Sequence, residues 1–135
     1  MHPEDYGARR ALVVDDDPSI VAFVSDMLKS AGWEVVTAAT GDEALSAARR
    51  YRPAAVFLDV TIPKQSGWLV CAKLKLVKAA PAIILMTGLS GERIAQYATL
   101  VGADGMLRKP LRAQDILRTL GRVTSANRPA EPAPV

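Results

Sequence analysis

No second cysteine accompanies Cys71, so the 135-residue chain cannot form a disulfide framework within itself, and a reducing compartment is the simpler expectation. Histidine is as scarce. The single one, His2, sits in an N-terminal segment with no partner near it in sequence, which argues against a ligand or catalytic role. Long apolar runs are missing too: nothing approaches the roughly 20 residues a membrane span requires. The opening MHPEDYGARR carries acidic residues where a secretory signal needs an apolar stretch, so no membrane association and a cytoplasmic location are expected. Strong charge of one sign is also absent. The formal net charge is +3, with no clustered basic stripe beside aromatic residues or a reading helix. Lys73, Lys75 and Lys78 therefore read as a solvated face, and no nucleic-acid partner is expected.

What is present is the composition of one ordinary globular domain, half apolar and 23% charged. Short β-branched runs alternate with longer helix-patterned segments. Ala11-Leu12-Val13-Val14 has no polar residue, as a strand buried on both faces of a parallel sheet requires. Three aspartates stop it. Asp17-Pro18 supplies a helix cap with proline in the first turn; Ile20, Val21, Phe23, Val24, Met27 and Leu28 follow helical spacing, and Gly32 closes the helix. Residues 33–38 read as a second strand, and Thr40-Gly41-Asp42-Glu43 as a capping box opening a helix that Arg52-Pro53 ends.

A third strand over 54–58 stops at Asp59, and a loop over 63–67 leads to a helix over 68–78. A fourth strand, 82–86, ends at Thr87-Gly88, before a helix over 91–101. A short strand, 105–108, precedes Lys109-Pro110 and a last helix to Thr124. Such alternation specifies an α/β domain with right-handed crossovers over residues 10–124. Residues 1–9 read as a mobile segment, and 125–135 as an Ala/Pro-rich tail or the start of a linker.

In an open parallel sheet, loops after the carboxyl ends of the strands gather at a crevice. Asp15 and Asp16, Asp59, Thr87 and Lys109 all stand at such ends. Carboxylates about 4 Å apart repel by roughly 4 kcal/mol at an effective dielectric near 20, so three converging on one crevice need a cation. Oxygen ligands with room for water suit Mg²⁺, or Mn²⁺. Asp17, by contrast, reads as the helix cap, and Cys71 as a core-facing helix residue.

Four segments carry a resemblance: Leu12-Val13-Val14-Asp15-Asp16-Asp17-Pro18; Phe57-Leu58-Asp59-Val60-Thr61-Ile62-Pro63 with Gly67; Ile84-Leu85-Met86-Thr87-Gly88; and Leu107-Arg108-Lys109-Pro110. In this order they resemble the receiver domain, chemotaxis-regulator-like, of two-component response regulators. The resemblance implies a flavodoxin-like doubly wound (βα)5 fold with a parallel sheet of order 2-1-3-4-5. It also implies that Asp59 accepts a phosphoryl group from a histidine kinase or histidine phosphotransfer protein. Asp16, Asp59 and the Thr61 carbonyl would hold the metal, with Asp15 acting through water. Lys109 would pair with one phosphoryl oxygen, Thr87 would bond another, and the Lys109-Pro110 peptide would be cis.

Two positions depart from the family. Where many receivers carry an aromatic switch residue, this chain has Met106, which implies a weaker or differently routed change on the face of the fourth helix, fifth strand and fifth helix. Leu89, with Thr61, flanks the family's path of attacking water; Leu89 cannot orient water, which implies slow self-dephosphorylation. Arg93, Arg108, Arg112, Arg118 and Arg122 fall in the segments of the signalling face, where they read either as a surface for an acidic downstream protein or as solvated helix arginines. The expected function is a stand-alone phosphorylation switch, not an enzyme acting on other substrates. The alternative is a receiver excised from a larger hybrid kinase or regulator. A haloacid-dehalogenase-type phosphatase wants an aspartate two residues after its nucleophile, where Thr61 stands.

Overall fold

Each expected apolar run forms a strand; the runs over 11–14, 55–59 and 82–87 are buried on both faces, while the edge strands over 34–38 and 105–108 are only partly covered. The computed structural model describes residues 9–127, with side chains described as far as Thr124. In chain order the elements are β1 (Arg10–Val14), α1 (Pro18–Ser30), β2 (Glu34–Ala38), α2 (Gly41–Tyr51), β3 (Ala55–Asp59), α3 (Gly67–Lys75), β4 (Ala82–Thr87), α4 (Glu92–Leu100), β5 (Gly105–Arg108) and α5 (Ala113–Asn127). The five strands are parallel in the order β2-β1-β3-β4-β5. The flavodoxin-like order that only the resemblance implied is thus the observed one.

Strand alternation divides the core in two. On one face Val13, Phe57, Ile84 and Met86 pack with Val24 and Leu28 of α1 and Ile116 and Leu120 of α5. On the other, Leu12, Val14, Leu58 and Leu85 pack with Ala44 of α2, Val70, Cys71 and Leu74 of α3 and Ala98 of α4. This two-sided burial explains why the strand sequences show no polar alternation. Cys71 is core, as expected, and burial pushes its thiol up to about 12.

Several boundaries differ from expectation for local reasons. Asp59 is the last residue of β3, paired with Met86, rather than the residue after it. The third helix begins at Gly67 and stops at Lys75 instead of Lys78. Leu76 and Val77 have no core to meet there: Leu76 is 86% exposed. Ala79 is left-handed at φ 58°, and Pro81 disfavours helix in the residue before it. The second strand starts at Glu34, with Trp33 tucked into the core beside it, and α4 is shorter than expected by a residue at each end. The last helix runs to Asn127, into the start of the expected tail; the rest of that tail and residues 1–8 lie outside the described residues.

Helix starts follow the expected chemistry. Asp17 Oδ1 accepts from Ser19 N at 2.9 Å and from Ser19 Oγ at 2.7 Å, so Asp17 is the cap of α1. In α2, Thr40 Oγ1 accepts from Glu43 N, but the Glu43 carboxylate reaches Ala39 N at 2.8 Å, one residue further back than a capping box requires.

Candidate functional site at the carboxyl edge of the sheet

The ends of β1, β3, β4 and β5 bring the expected residues into one crevice. Asp15 follows the buried run of β1, and its backbone N–H still donates to Ala38 of β2 at 3.2 Å. Asp59 ends β3 and Thr87 ends β4, each buried. Lys109 follows β5, where its N–H donates to the Thr87 carbonyl at 2.7 Å; its peptide bond to Pro110 is cis. Carboxylate oxygens of Asp15, Asp16 and Asp59 all lie within 4.8 Å of one another, with Asp16 alone exposed.

One ammonium serves two of these carboxylates. Lys109 Nζ lies 2.9 Å from Asp15 Oδ2 and 3.4 Å from Asp59 Oδ2. Burial, which disfavours the charged carboxylate, is the main reason Asp15 stands above its usual range; the neighbouring Asp59 charge adds to this, while Lys109 and the Asp17 N–H oppose it. For Lys109 burial is the largest single influence and pulls its pKa down. Asp15 and Asp59 together outweigh it, and the lysine titrates above its ordinary value. Three carboxylates against one lysine leave the crevice with excess negative charge. At 4.8 Å each carboxylate pair repels by about 3 kcal/mol in an effective dielectric near 20, so a divalent ion is strongly favoured there. An all-oxygen set, partly open to water, fits Mg²⁺.

The loop after Asp59 is clasped from two sides. Gly67 N donates to Val60 O at 3.0 Å, and Gly41 N donates to Pro63 O at 3.0 Å. Helix α3 starts so close to the end of β3 that a β-carbon on Gly67 would overlap the Asp59 carbonyl oxygen and lie 2.5 Å from Val60 Cα. Within the loop, Gln65 bridges Asp42 of α2 and Lys73 of α3. Asp59 Oδ1 accepts from Thr61 N at 3.1 Å and from Thr61 Oγ1 at 3.2 Å, while Oδ2 faces Lys109. Thr87 Oγ1 accepts from Leu89 N at 2.9 Å. These roles of Gly67 and of the Leu89 amide escaped sequence reasoning. A glycine directly after a serine cap, in the loop following Asp59, was the available signal for the first. Met106 stands apart from the crevice, exposed on β5.

The sequence profile of the response regulator receiver domain matches residues 11–121. The chain belongs to the response regulator receiver domain family. The probable transcriptional regulatory protein TcrX of Mycobacterium tuberculosis is 37% identical over 109 residues, covering 81% of this receiver chain and 47% of TcrX. The alkaline phosphatase synthesis transcriptional regulatory protein PhoP of Bacillus subtilis is 34% identical over 108 residues, covering 80% of this chain and 45% of PhoP. The receiver chain thus spans about half the length of these curated relatives. Among solved structures, Vibrio cholerae chemotaxis protein CheY4 superposes with a TM-score of 0.80 at 34% identity, covering 87% of this chain and 99% of that one. As a response regulator receiver domain, the chain belongs to two-component signal transduction. No helix among the described residues is long and apolar enough to cross a membrane.

Proposed function

We propose that this receiver is a phosphorylation switch in which Asp59 is the acceptor. The observation that carries this is the convergence of Asp59 with Lys109 at 3.4 Å and with Asp15 and Asp16 inside one 4.8 Å cluster. An Asp59 carboxylate oxygen forms a bond to phosphorus as the P–N bond of a phosphohistidine breaks, and the imidazole leaves with the electron pair. The donor is a histidine kinase or a histidine phosphotransfer protein. Asp16, Asp59 and the Thr61 carbonyl would hold Mg²⁺, with Asp15 acting through water. The ion supplies charge neutralisation for the transferring group. Lys109 moves from Asp15 and Asp59 toward a phosphoryl oxygen as a point charge, and the Thr87 hydroxyl leaves the Leu89 amide to bond another.

Two further parts of the reading concern output and lifetime. Arg93, Arg108, Arg112, Arg118 and Arg122 are all exposed on or beside α4, β5 and α5, which favours an acidic downstream surface. Of these, Arg118 has a weak ion pair with Asp115, at 3.9 Å. With Leu89 unable to orient water and the Thr61 hydroxyl already directed at Asp59, self-dephosphorylation is slow; a half-life of seconds in purified protein would contradict this. The receiver catalyses its own phosphorylation and dephosphorylation and acts otherwise by binding, in the cytoplasm. Incubation with Mg²⁺ and a small phosphodonor should add one phosphoryl group to the intact mass. Chelation or Asp59→Asn should abolish the gain, and an unchanged gain in Asp59→Asn would refute the assignment.

A further inference from the structure

The amino edge of the sheet, opposite the Asp59 crevice, gathers residues that are far apart in sequence. Arg10 Nη1 donates to the Tyr51 carbonyl at 2.9 Å, which joins the start of β1 to the end of α2. Ala54 N donates to Arg10 O at 2.8 Å and Ala82 N to Ala54 O at 2.9 Å, so the turns before β3 and β4 lie side by side. Lys75 Nζ donates to Pro81 O at 3.0 Å and to Asp104 Oδ2 at 2.8 Å, which brings the end of α3 against the start of β5. Arg9, Arg49, Arg50, Arg52 and Lys78 are exposed along this edge, and none has an ion pair among the described residues. Glu34, which begins β2, is already paired with Arg10 at 3.1 Å, and Asp104 with Lys75. Cations at the carboxyl end of a helix complement its dipole, which accounts for Arg49 and Arg50. It accounts for neither Arg9, which precedes β1, nor Lys78, beyond the end of α3.

Apolar side chains stand among these cations. Leu76 and Val77, just past α3, are 86% and 51% exposed, and Leu100 at the end of α4 is 79% exposed. The two helix ends adjoin, since a β-carbon on Gly102 would meet Lys75 Cγ at 3.4 Å. Side chains this exposed project from the surface instead of lining a groove, a shape that suits entry into a lipid headgroup layer. Basic residues around them suit anionic headgroups. A second copy of the chain seated here would set the same cations against themselves. We infer that this edge docks the receiver on an anionic lipid surface. Leu76, Val77 and Leu100 enter the headgroup layer, and the five cations lie against the lipid phosphates. Peripheral docking needs no spanning helix; the fold assembles the surface from separate segments, which is why the sequence pattern points away from a membrane. Docked this way, the Asp15–Asp16–Asp59 cluster at the other end of the strands faces water and stays open to a phosphodonor. Anionic lipid repels that cluster, so charge orients the domain as well as holding it.

Flotation of the full chain with phosphatidylcholine vesicles containing about one-third phosphatidylglycerol tests this, with pure phosphatidylcholine vesicles alongside. The protein should float with the anionic vesicles and not with the neutral ones, and about 0.5 M salt should release most of it. Each cation near such a surface strengthens binding about fivefold, so Arg52→Asn with Lys78→Gln should weaken it about 25-fold. Asparagine tolerates the left-handed backbone at position 52, φ 47°, so the fold is kept. Leu76→Ser with Val77→Ser, both at exposed positions, should weaken vesicle binding about tenfold or more with the thermal melt unchanged. No flotation with anionic vesicles, equal flotation with neutral ones, or binding unchanged in either double variant overturns the inference. Retention of polyglutamate or duplex DNA without flotation also overturns it and reassigns the edge to an acidic polymer. The readout is taken on unphosphorylated protein, so it stands or falls independently of Asp59 chemistry.

Discussion

Gly67→Ala places a β-carbon where α3 meets the end of β3, and the structure fixes both the sign and the scale of the result. The added atom would overlap the Asp59 carbonyl oxygen and lie 2.5 Å from Val60 Cα and 2.9 Å from the Asp59 carbonyl carbon. Restoring ordinary contact requires the two backbone segments to part by roughly 1 Å. Both are main chain, so no side chain can turn aside. Overpacking of this kind costs about 1–3 kcal/mol and occasionally more. The intrinsic preference of alanine for helix offsets at most about 1 kcal/mol. The net loss should be about 2 kcal/mol, a fall of roughly 10 °C in melting temperature. Gly121→Ala, inside α5 with nothing within 4 Å of its β-carbon, is the matched control and should stabilise by about 0.5–1 kcal/mol. Urea unfolding of both variants reads the difference. Equal effects, or a stabilised Gly67→Ala, would refute the close approach of α3 to Asp59. The same displacement should slow phosphorylation of Gly67→Ala, because the acceptor moves relative to Lys109.

Asp104 Oδ2 accepts from Lys75 Nζ and from Ile83 N, each at 2.8 Å, tying α3, β4 and the start of β5 together. Asp104→Ala should therefore lower stability by about 1–3 kcal/mol, read as a fall in urea midpoint. Asp15 stands above its usual range because of burial, so the folded state holds its proton more tightly than the unfolded chain. In metal-free buffer its contribution to stability is full below the unfolded value and is lost as pH rises through the folded one. Asp15→Asn should remove that part of the pH dependence and raise the melting temperature near neutrality; a lower one would contradict the burial argument. With a phosphoryl mimic bound, amide shifts should be small around Met106 and α5, since no aromatic ring fills a pocket there; large shifts centred on those residues would contradict this.

The sheet was legible because its three central strands are covered on both sides. Residues 11–14 and 82–86 carry no polar alternation, and both faces prove buried. The order of the strands was not, since order depends on which crossovers pack against which face, and no residue spacing encodes it; the resemblance supplied it. The candidate site residues stood out as chemistry at strand ends, but the contacts they make with one another did not. That Lys109 lies nearer Asp15 than Asp59 depends on where β5 ends relative to β1, which no local pattern records. The overextended third helix shows the opposite failure. Leu76 and Val77 continued an apolar pattern that has no core behind it, and the helix stops at Lys75, before them.

Mapping the phosphoryl group to one residue decides whether Asp59 is the acceptor. After reaction with a small phosphodonor and Mg²⁺, hydride reduction converts an aspartyl phosphate to homoserine, which peptide mass spectrometry then locates. Phosphorylation at Asp59 should give homoserine at position 59 alone, and none after chelation of the metal. Homoserine at another aspartate, or a phosphoryl group on a residue outside the crevice, would contradict it.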